Sequence, residues 1–175
     1  IIGPDELVFG VDNVDACATF LKDYGLDEAG DNRFEALDKT AISIRAKDDA
    51  SLPAPLPTAS LLRLTIWGVE DQAALDEIEA ELSKDRDVTK DEDGVLYAKD
   101  DAGFELAFRI TKRIKLDLPA EMINSPGATP GRGANKIGAN QDAEAKPRTL
   151  SHIVYFVPNM EETAKFYIER LGFVV

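Results

Sequence analysis

One histidine and one cysteine are all that the sequence holds of the two side chains most used for metal and redox chemistry. The lone Cys17 cannot close an internal disulfide, and no thiol or imidazole near it in sequence supplies a partner for a metal or a redox pair. Stability therefore has to come from an apolar core, and a reducing, cytoplasmic setting fits such a chain. Long apolar runs are missing as well. Nothing approaches the roughly 20 residues needed to cross a bilayer, and no basic stretch followed by an apolar one opens the chain, so no membrane partner is expected. Positive charge is in deficit: 20 Lys and Arg stand against 33 Asp and Glu, for a formal net charge of −13. The resulting field repels phosphate backbones, which excludes nucleic acid as an expected partner.

What remains is a globular balance of 44% hydrophobic and 30% charged residues, in 175 residues that suffice for one domain with a full core. The chain begins Ile-Ile without a methionine and closes on a valine pair after Leu-Gly-Phe. These ends read as those of a piece of a longer polypeptide.

Internal repetition organises the rest. Placing ELVFGVDNVDACATFLKDYGL (residues 6–26) over HIVYFVPNMEETAKFYIERLGF (residues 152–173) brings Val11 onto Val157, Asn13 onto Asn159, Ala18 onto Ala164 and Phe20 onto Phe166. A gap of one residue then brings Gly25 onto Gly172. A third copy, LTIWGVEDQAALDEIEAEL (residues 64–82), shares the Gly-Val pair at Gly68 and Val69. Each copy opens with a short apolar, β-branched and aromatic run, the composition of a strand. Asn13, Asp71 and Asn159 are suitable N-caps for a helix after it, and Glu162, three residues beyond Asn159, completes a capping box. Cys17, Phe20, Leu21 and Tyr24 recur at helical spacing, as do Leu75, Ile78 and Leu82, and both stripes are expected to face the core. Gly25 and Gly172 stand where a left-handed residue would end the helix.

Behind the first helix, NRFEAL and TAISIRA flank Asp38-Lys39 and read as a hairpin. Behind the second, the run GVLYAKDDAGFELAFRIT turns at residues 100–103, and its last strand alternates Phe104, Leu106, Phe108 and Ile110 with Glu105, Ala107 and Arg109. The fold class is accordingly α+β: paired βαβββ modules forming a cupped mixed sheet with helices on the outer face, plus the start of a third module. The expected divisions are a two-module domain over residues 1–112, a linker over 113–150, and the opening of another domain over 151–175. The Gly, Pro and Asn content of the linker supports no periodic element, and its Gly131-Arg132-Gly133 lacks the strand-to-helix frame of a phosphate cradle.

His152-Ile153-Val154, Val157, Pro158-Asn159, Phe166-Tyr167 and Leu171-Gly172-Phe173 together resemble the module opening of the vicinal oxygen chelate superfamily, which includes glyoxalases, bleomycin-resistance proteins and extradiol dioxygenases. DDAGFEL (residues 100–106) resembles the closing strand of such modules, although the Pro and Asn usual in its turn are absent. Two modules, a long connector and a third opening are most similar to the type I extradiol ring-cleavage dioxygenases. In that family the N-terminal pair of modules holds no metal, and the C-terminal pair holds iron. The resemblance implies His152 as the first metal ligand, Fe(II) as cofactor with Mn(II) as the substitute, a catechol-type aromatic diol and O2 as substrates, and self-association of the chain. The remaining ligands and the acid/base residues would lie beyond Val175.

Two imidazoles and one carboxylate on one face of a ferrous ion leave positions open for the diol and for dioxygen, and one histidine alone makes no such site. The positions equivalent to His152 in the first two modules are Glu6 and Leu64, and the closing-strand carboxylate is Glu105. Carboxylates without an imidazole form a poor ferrous site, so Glu6 reads as a solvated strand-end charge and Glu105 as a partner of Arg109. Two other readings accompany this one. The first is a non-catalytic protein that sequesters a cationic aromatic compound, with Trp67 or Phe108 as stacking groups; the second is a four-module α-keto-acid dioxygenase.

Overall fold

The computed structural model describes residues 1–118, 135, 142 and 144–174. The first repeat contributes β1 (Gly3–Val11), α1 (Val14–Asp23), β2 (Asp27–Glu28), β3 (Arg33–Glu35) and β4 (Ala41–Ala46). The second contributes β5 (Leu62–Val69), α2 (Gln72–Leu82), β6 (Thr89–Lys90), β7 (Leu96–Lys99) and β8 (Glu105–Ile110). All eight strands form one mixed sheet in the order β2-β3-β4-β1-β5-β8-β7-β6. The order is symmetric about its centre: β1 runs parallel to β4, β5 runs parallel to β8, and β1 and β5 pair antiparallel between the two modules.

Local chemistry sets each helix. The side-chain oxygen of Asn13 accepts from Ala16 N at 2.9 Å, that of Asp71 from Ala74 N at 2.9 Å, and that of Asn159 from Glu162 N at 3.3 Å. Gly25 and Gly172 adopt φ of +99° and +70°, conformations an L side chain resists. Behind them Leu26 N donates to Leu21 O, the six-to-one bond that closes a Schellman turn, while Phe173 N donates to Tyr167 O, a closure one residue wider. The one-residue offset between the first and third repeats also has a structural cause. The third helix, α3 (Met160–Lys165), continues into a π-helical turn at Phe166–Arg170, and that wider turn accommodates the additional residue before Gly172.

Both helices of the paired modules cover the same face of the sheet. Val11, Leu21, Leu26, Phe34 and Ile44 form the core under α1, while Trp67, Val69, Leu75, Ile78, Leu82, Leu96, Leu106 and Phe108 form the larger core under α2. The stripe Leu75, Ile78 and Leu82 is buried as expected. The stripe on α1 is only partly so. Leu21 is buried, but Phe20 and Tyr24 are 64% and 62% exposed and stack on each other with centroids 6.2 Å apart. Cys17 and Ala18 supply the inward contacts of α1 beside Leu21, which rotates Phe20 and Tyr24 outward.

The described ends of the expected linker are both fastened to the β3–β4 turn. Ile114 N donates to Asp38 O, Leu37 N to Pro147 O, Asp38 N to Arg148 O, and Leu150 N to Thr40 Oγ1. The Gly131-Arg132-Gly133 reading lies outside the described residues. Residues 151–157 continue as an extended segment in which Ile153, Tyr155 and Val157 pack against the α2 core while His152, Val154 and Phe156 are exposed. Phe166, Tyr167 and Leu171 then join that same core. The third opening is thus seated on the helix side of the second module.

Candidate functional site

Strand alternation places Glu6 on the face opposite the helices, because it stands across β5 from Ile66 and beside β4, where Ser43 shares its face. Contrary to the expectation of a solvated strand-end charge, Glu6 is 7% exposed. Its Oε1 accepts from Ser43 Oγ at 2.6 Å, and its Oε2 accepts from Arg33 Nε and Arg109 Nη2, both at 3.2 Å. Burial alone would push this carboxyl up, but the Ser43 hydrogen bond and the Arg109 and Arg33 guanidinium groups outweigh it, so its pKa lies below the ordinary glutamate value. Neighbouring carboxylates extend the network: Arg33 pairs with Glu35, and Arg109 Nε donates to Asp5 Oδ2 at 3.3 Å. Asp5 also accepts from Thr111 Oγ1 at 2.7 Å and from Lys112 N at 3.1 Å.

Glu105 takes a different partner from the expected one. It bonds Lys99 at 2.9 Å, its direct neighbour across the β7–β8 pair, while Arg109 is drawn across the module boundary to Asp5 and Glu6. Every strong acceptor on Glu6 is thereby engaged by a cation or a hydroxyl. A cluster of this kind joins the two modules and holds both oxygens of Glu6 in hydrogen bonds. Trp67 and Phe108 are likewise unsuited to stacking on a ligand. They are 5% and 0% exposed, on the helix side of the sheet, because period-two alternation sends them into the core under α2.

His152 stands on the surface. Its Nδ1 lies 3.0 Å from Ser151 Oγ, and the ring borders a cleft of about 370 Å³ lined by Phe20, Tyr24, Ile42, Pro147 and Leu150. Its position relative to the helix cap repeats those of Glu6 and Leu64: each precedes its N-cap, Asn159, Asn13 or Asp71, by seven residues. Among the described residues no group of three His, Cys, Asp or Glu side chains is arranged to hold a metal ion. The residues described here do not by themselves fit a metal centre, and His152 is a single candidate ligand.

A second polar cluster, which sequence reading missed, lies between the third opening and the second module. Tyr167 Oη donates to Asp100 Oδ2 at 2.8 Å, and Tyr155 Oη donates to Thr65 Oγ1 at 2.6 Å. Asp100 Oδ1 accepts from Ala102 N at 2.9 Å and Phe104 N at 2.8 Å, which shapes the turn into β8. The only signal in the sequence was the turn itself, since the two tyrosines arrive from residues more than fifty positions away. Burial pushes the Asp100 carboxyl above its ordinary range, and the hydrogen bonds from Tyr167 and the turn amides only partly reverse the effect. A carboxyl raised in the folded state contributes most stability below its unfolded pKa and loses that contribution as pH rises through its folded pKa. Asp100→Asn keeps the acceptor for the turn amides and removes a buried charge. Urea denaturation of this variant at pH 7 is expected to show stability equal to or above that of the parent, with the advantage shrinking toward pH 4. A marked loss at pH 7 would contradict the assignment.

No protein-family model matches the sequence, and no curated protein does so. Solved structures do match in fold. A catechol 2,3-dioxygenase superposes on 97% of this chain and 56% of its own, with a TM-score of 0.57 and 20% identity. The Mn(II)-bound glyoxalase from Novosphingobium aromaticivorans matches 100% of this chain and 54% of its own, with a TM-score of 0.63 and 20% identity. This chain has the vicinal oxygen chelate fold. The 2,3-dioxygenase LapB from Pseudomonas sp. KL28 agrees, at a TM-score of 0.62 and 18% identity over 99% of this chain and 59% of its own. The chain therefore spans a little over half the length of each of these three structures. In vicinal oxygen chelate terms, β1–β4 with α1 and β5–β8 with α2 are the two modules of one pair. The Glu6 cluster stands on the pair's helix-free face.

Proposed function

We propose that this chain is the N-terminal part of an extradiol dioxygenase that opens a catechol-type aromatic ring with O2 in aromatic degradation. The observation that carries the reading is the place of His152: seven residues before the cap of a third module helix, on an extended segment whose alternation matches that of β1. In this reading modules one and two are a structural pair, held closed by Glu6, Arg33 and Arg109, and His152 is the first protein ligand of an Fe(II) or Mn(II) centre completed by residues after Val175. An acidic, cytoplasmic protein with a small uncharged diol as substrate is consistent with the charge balance.

The test uses protein made from the complete reading frame, reconstituted anaerobically with Fe(II) and offered a panel of catechols. Yellow ring-fission product is expected from at least one diol, and His152→Ala is expected to lose both the product and most of the bound iron while retaining its far-UV circular dichroism. Absence of product from every diol, or full iron binding by His152→Ala, would defeat the proposal.

A further inference from the structure

Two side chains hold the main chain of Leu150 from both directions. Leu150 N donates to Thr40 Oγ1 at 2.7 Å, and Leu150 O accepts from Arg113 Nη2 at 3.4 Å. Thr40, at the start of the strand register of β4, is 1% exposed, and its hydroxyl can face Leu150 in only one sense. The O–H donates to Asp38 Oδ1 at 2.6 Å, which leaves lone pairs to accept the Leu150 N–H. Asp38 is 5% exposed, accepts from Thr40 N at 3.1 Å and stands 3.5 Å from Arg113 Nε. One buried carboxylate therefore orients the hydroxyl that takes the N–H and sits beside the guanidinium that reaches the C=O. Arg113 is fixed in turn, since Nη2 also donates to Pro4 O at 2.9 Å and its own N–H donates to Thr111 Oγ1 at 3.1 Å. The β3–β4 turn closes through main-chain bonds of its own, Ala36 N to Thr40 O and Lys39 N to Ala36 O, so the Thr40 hydroxyl is spare for the re-entering chain.

Leu150 lies two residues before His152, at most about 7 Å of chain away. Period two in an extended segment sends both side chains to one side, and both border the cleft beside α1. A rotation of the main chain at Leu150 is thus passed directly to the imidazole. We propose that Thr40 and Arg113 are positioning residues for His152, acting through the main chain of Leu150, with Asp38 setting the direction of both. The inference rests on the reading of His152 as a metal ligand. It gives the first module, which among the described residues holds no metal-binding group, a part in shaping that centre. Coupling between sites is reciprocal, so a metal bound at His152 should also slow amide exchange at Leu150.

Three variants separate the contacts. Thr40→Val keeps the shape and removes the hydroxyl, Thr40→Ser keeps the hydroxyl, and Arg113→Met removes the second contact with Thr40 intact. In the 175-residue chain, NMR order parameters at residues 150–152 are expected to fall in Thr40→Val and Arg113→Met and to match the parent in Thr40→Ser, with amide exchange in β1 and β5 unaltered. In protein made from the complete reading frame, the Kd for Mn(II) is read from the paramagnetic resonance of the free ion, counting only binding that His152→Ala abolishes. It is expected to rise about tenfold in Thr40→Val and in Arg113→Met, and to return to the parent value in Thr40→Ser.

A Thr40→Val chain in which His152 stays as ordered as in the parent overturns the proposal, with or without metal. Parent-like Mn(II) affinity in both Thr40→Val and Arg113→Met overturns it too and leaves the ligand reading standing. A parent whose Mn(II) binding is untouched by His152→Ala defeats the ligand reading itself, and the positioning role falls with it.

Discussion

Replacing Glu6 by alanine is expected to cost about 3–5 kcal/mol of folding stability, the range for removing one member of a buried ion pair. The side chain is the common acceptor of Ser43, Arg33 and Arg109, and its loss removes the carboxylate that joins Arg33, still paired with Glu35, to Arg109, still paired with Asp5, on a face where Glu6 itself is nearly inaccessible. Glu6→Gln, which keeps the shape and an acceptor for Ser43, should lose less. The pH dependence follows from the sign of the shift. A carboxyl whose pKa is lower in the folded state contributes stability above its unfolded pKa, about 4.3, and that contribution disappears as pH falls through the folded value. Glu6→Gln should therefore flatten the acid limb of the stability profile, and chemical denaturation from pH 3 to pH 7 measures it. A parent-like acid limb in the variant, or a loss below about 1 kcal/mol for Glu6→Ala, would show that the cluster does not hold the modules together.

Phe166→Ala is expected to have an effect of similar size, about 3–5 kcal/mol, but confined to one part of the molecule. Phe166 is 2% exposed, and its ring lies under two cations, with the Arg86 guanidinium 4.6 Å and the Arg170 guanidinium 5.8 Å from its centroid. Arg170 in turn reaches Glu81 on α2 at 3.0 Å and Asp85 at 2.6 Å, and Arg86 reaches Asp101 at 2.9 Å. Removing the ring opens a cavity between α3 with its π-turn and the second module and undoes the packing that positions those arginines. Hydrogen exchange should rise across residues 151–171 and remain slow in β1, β4 and α1. Uniform acceleration throughout the sheet would mean that the third opening is integral to the whole fold and not a docked element.

How much of this was legible beforehand depended on distance along the chain. Asn13, Asp71, Asn159, Gly25 and Gly172 act on backbone groups a few residues away, so their caps and turns were readable directly and hold in the structure. The one-residue offset ahead of Gly172 was readable as a gap but not as a π-turn, since only hydrogen-bond geometry distinguishes a widened turn from a loop. Phe20 and Tyr24 show the limit of periodicity. An apolar stripe says that a face is greasy, and the direction in which it is turned depends on how deeply Cys17, Ala18 and Leu21 settle on the sheet. For Trp67 and Phe108, aromaticity suggested ligand stacking, while the pleat directed both into the core.

The candidate site was less legible than the fold. Glu6 was singled out by its position in the repeat, yet its partners lie 27, 37 and 103 residues away, and nothing local distinguishes a carboxylate awaiting a metal from one already held by two arginines. The order of residues determined the two modules, their caps and closing turns, and the singular place of His152, because each rests on spacing over a few residues. Tertiary structure alone decided which charges meet across the sheet, which face of α1 meets water, and where the third opening rests. Coulombic pairing and close packing act on separation in space, and residues far apart in sequence become neighbours only once the chain has folded.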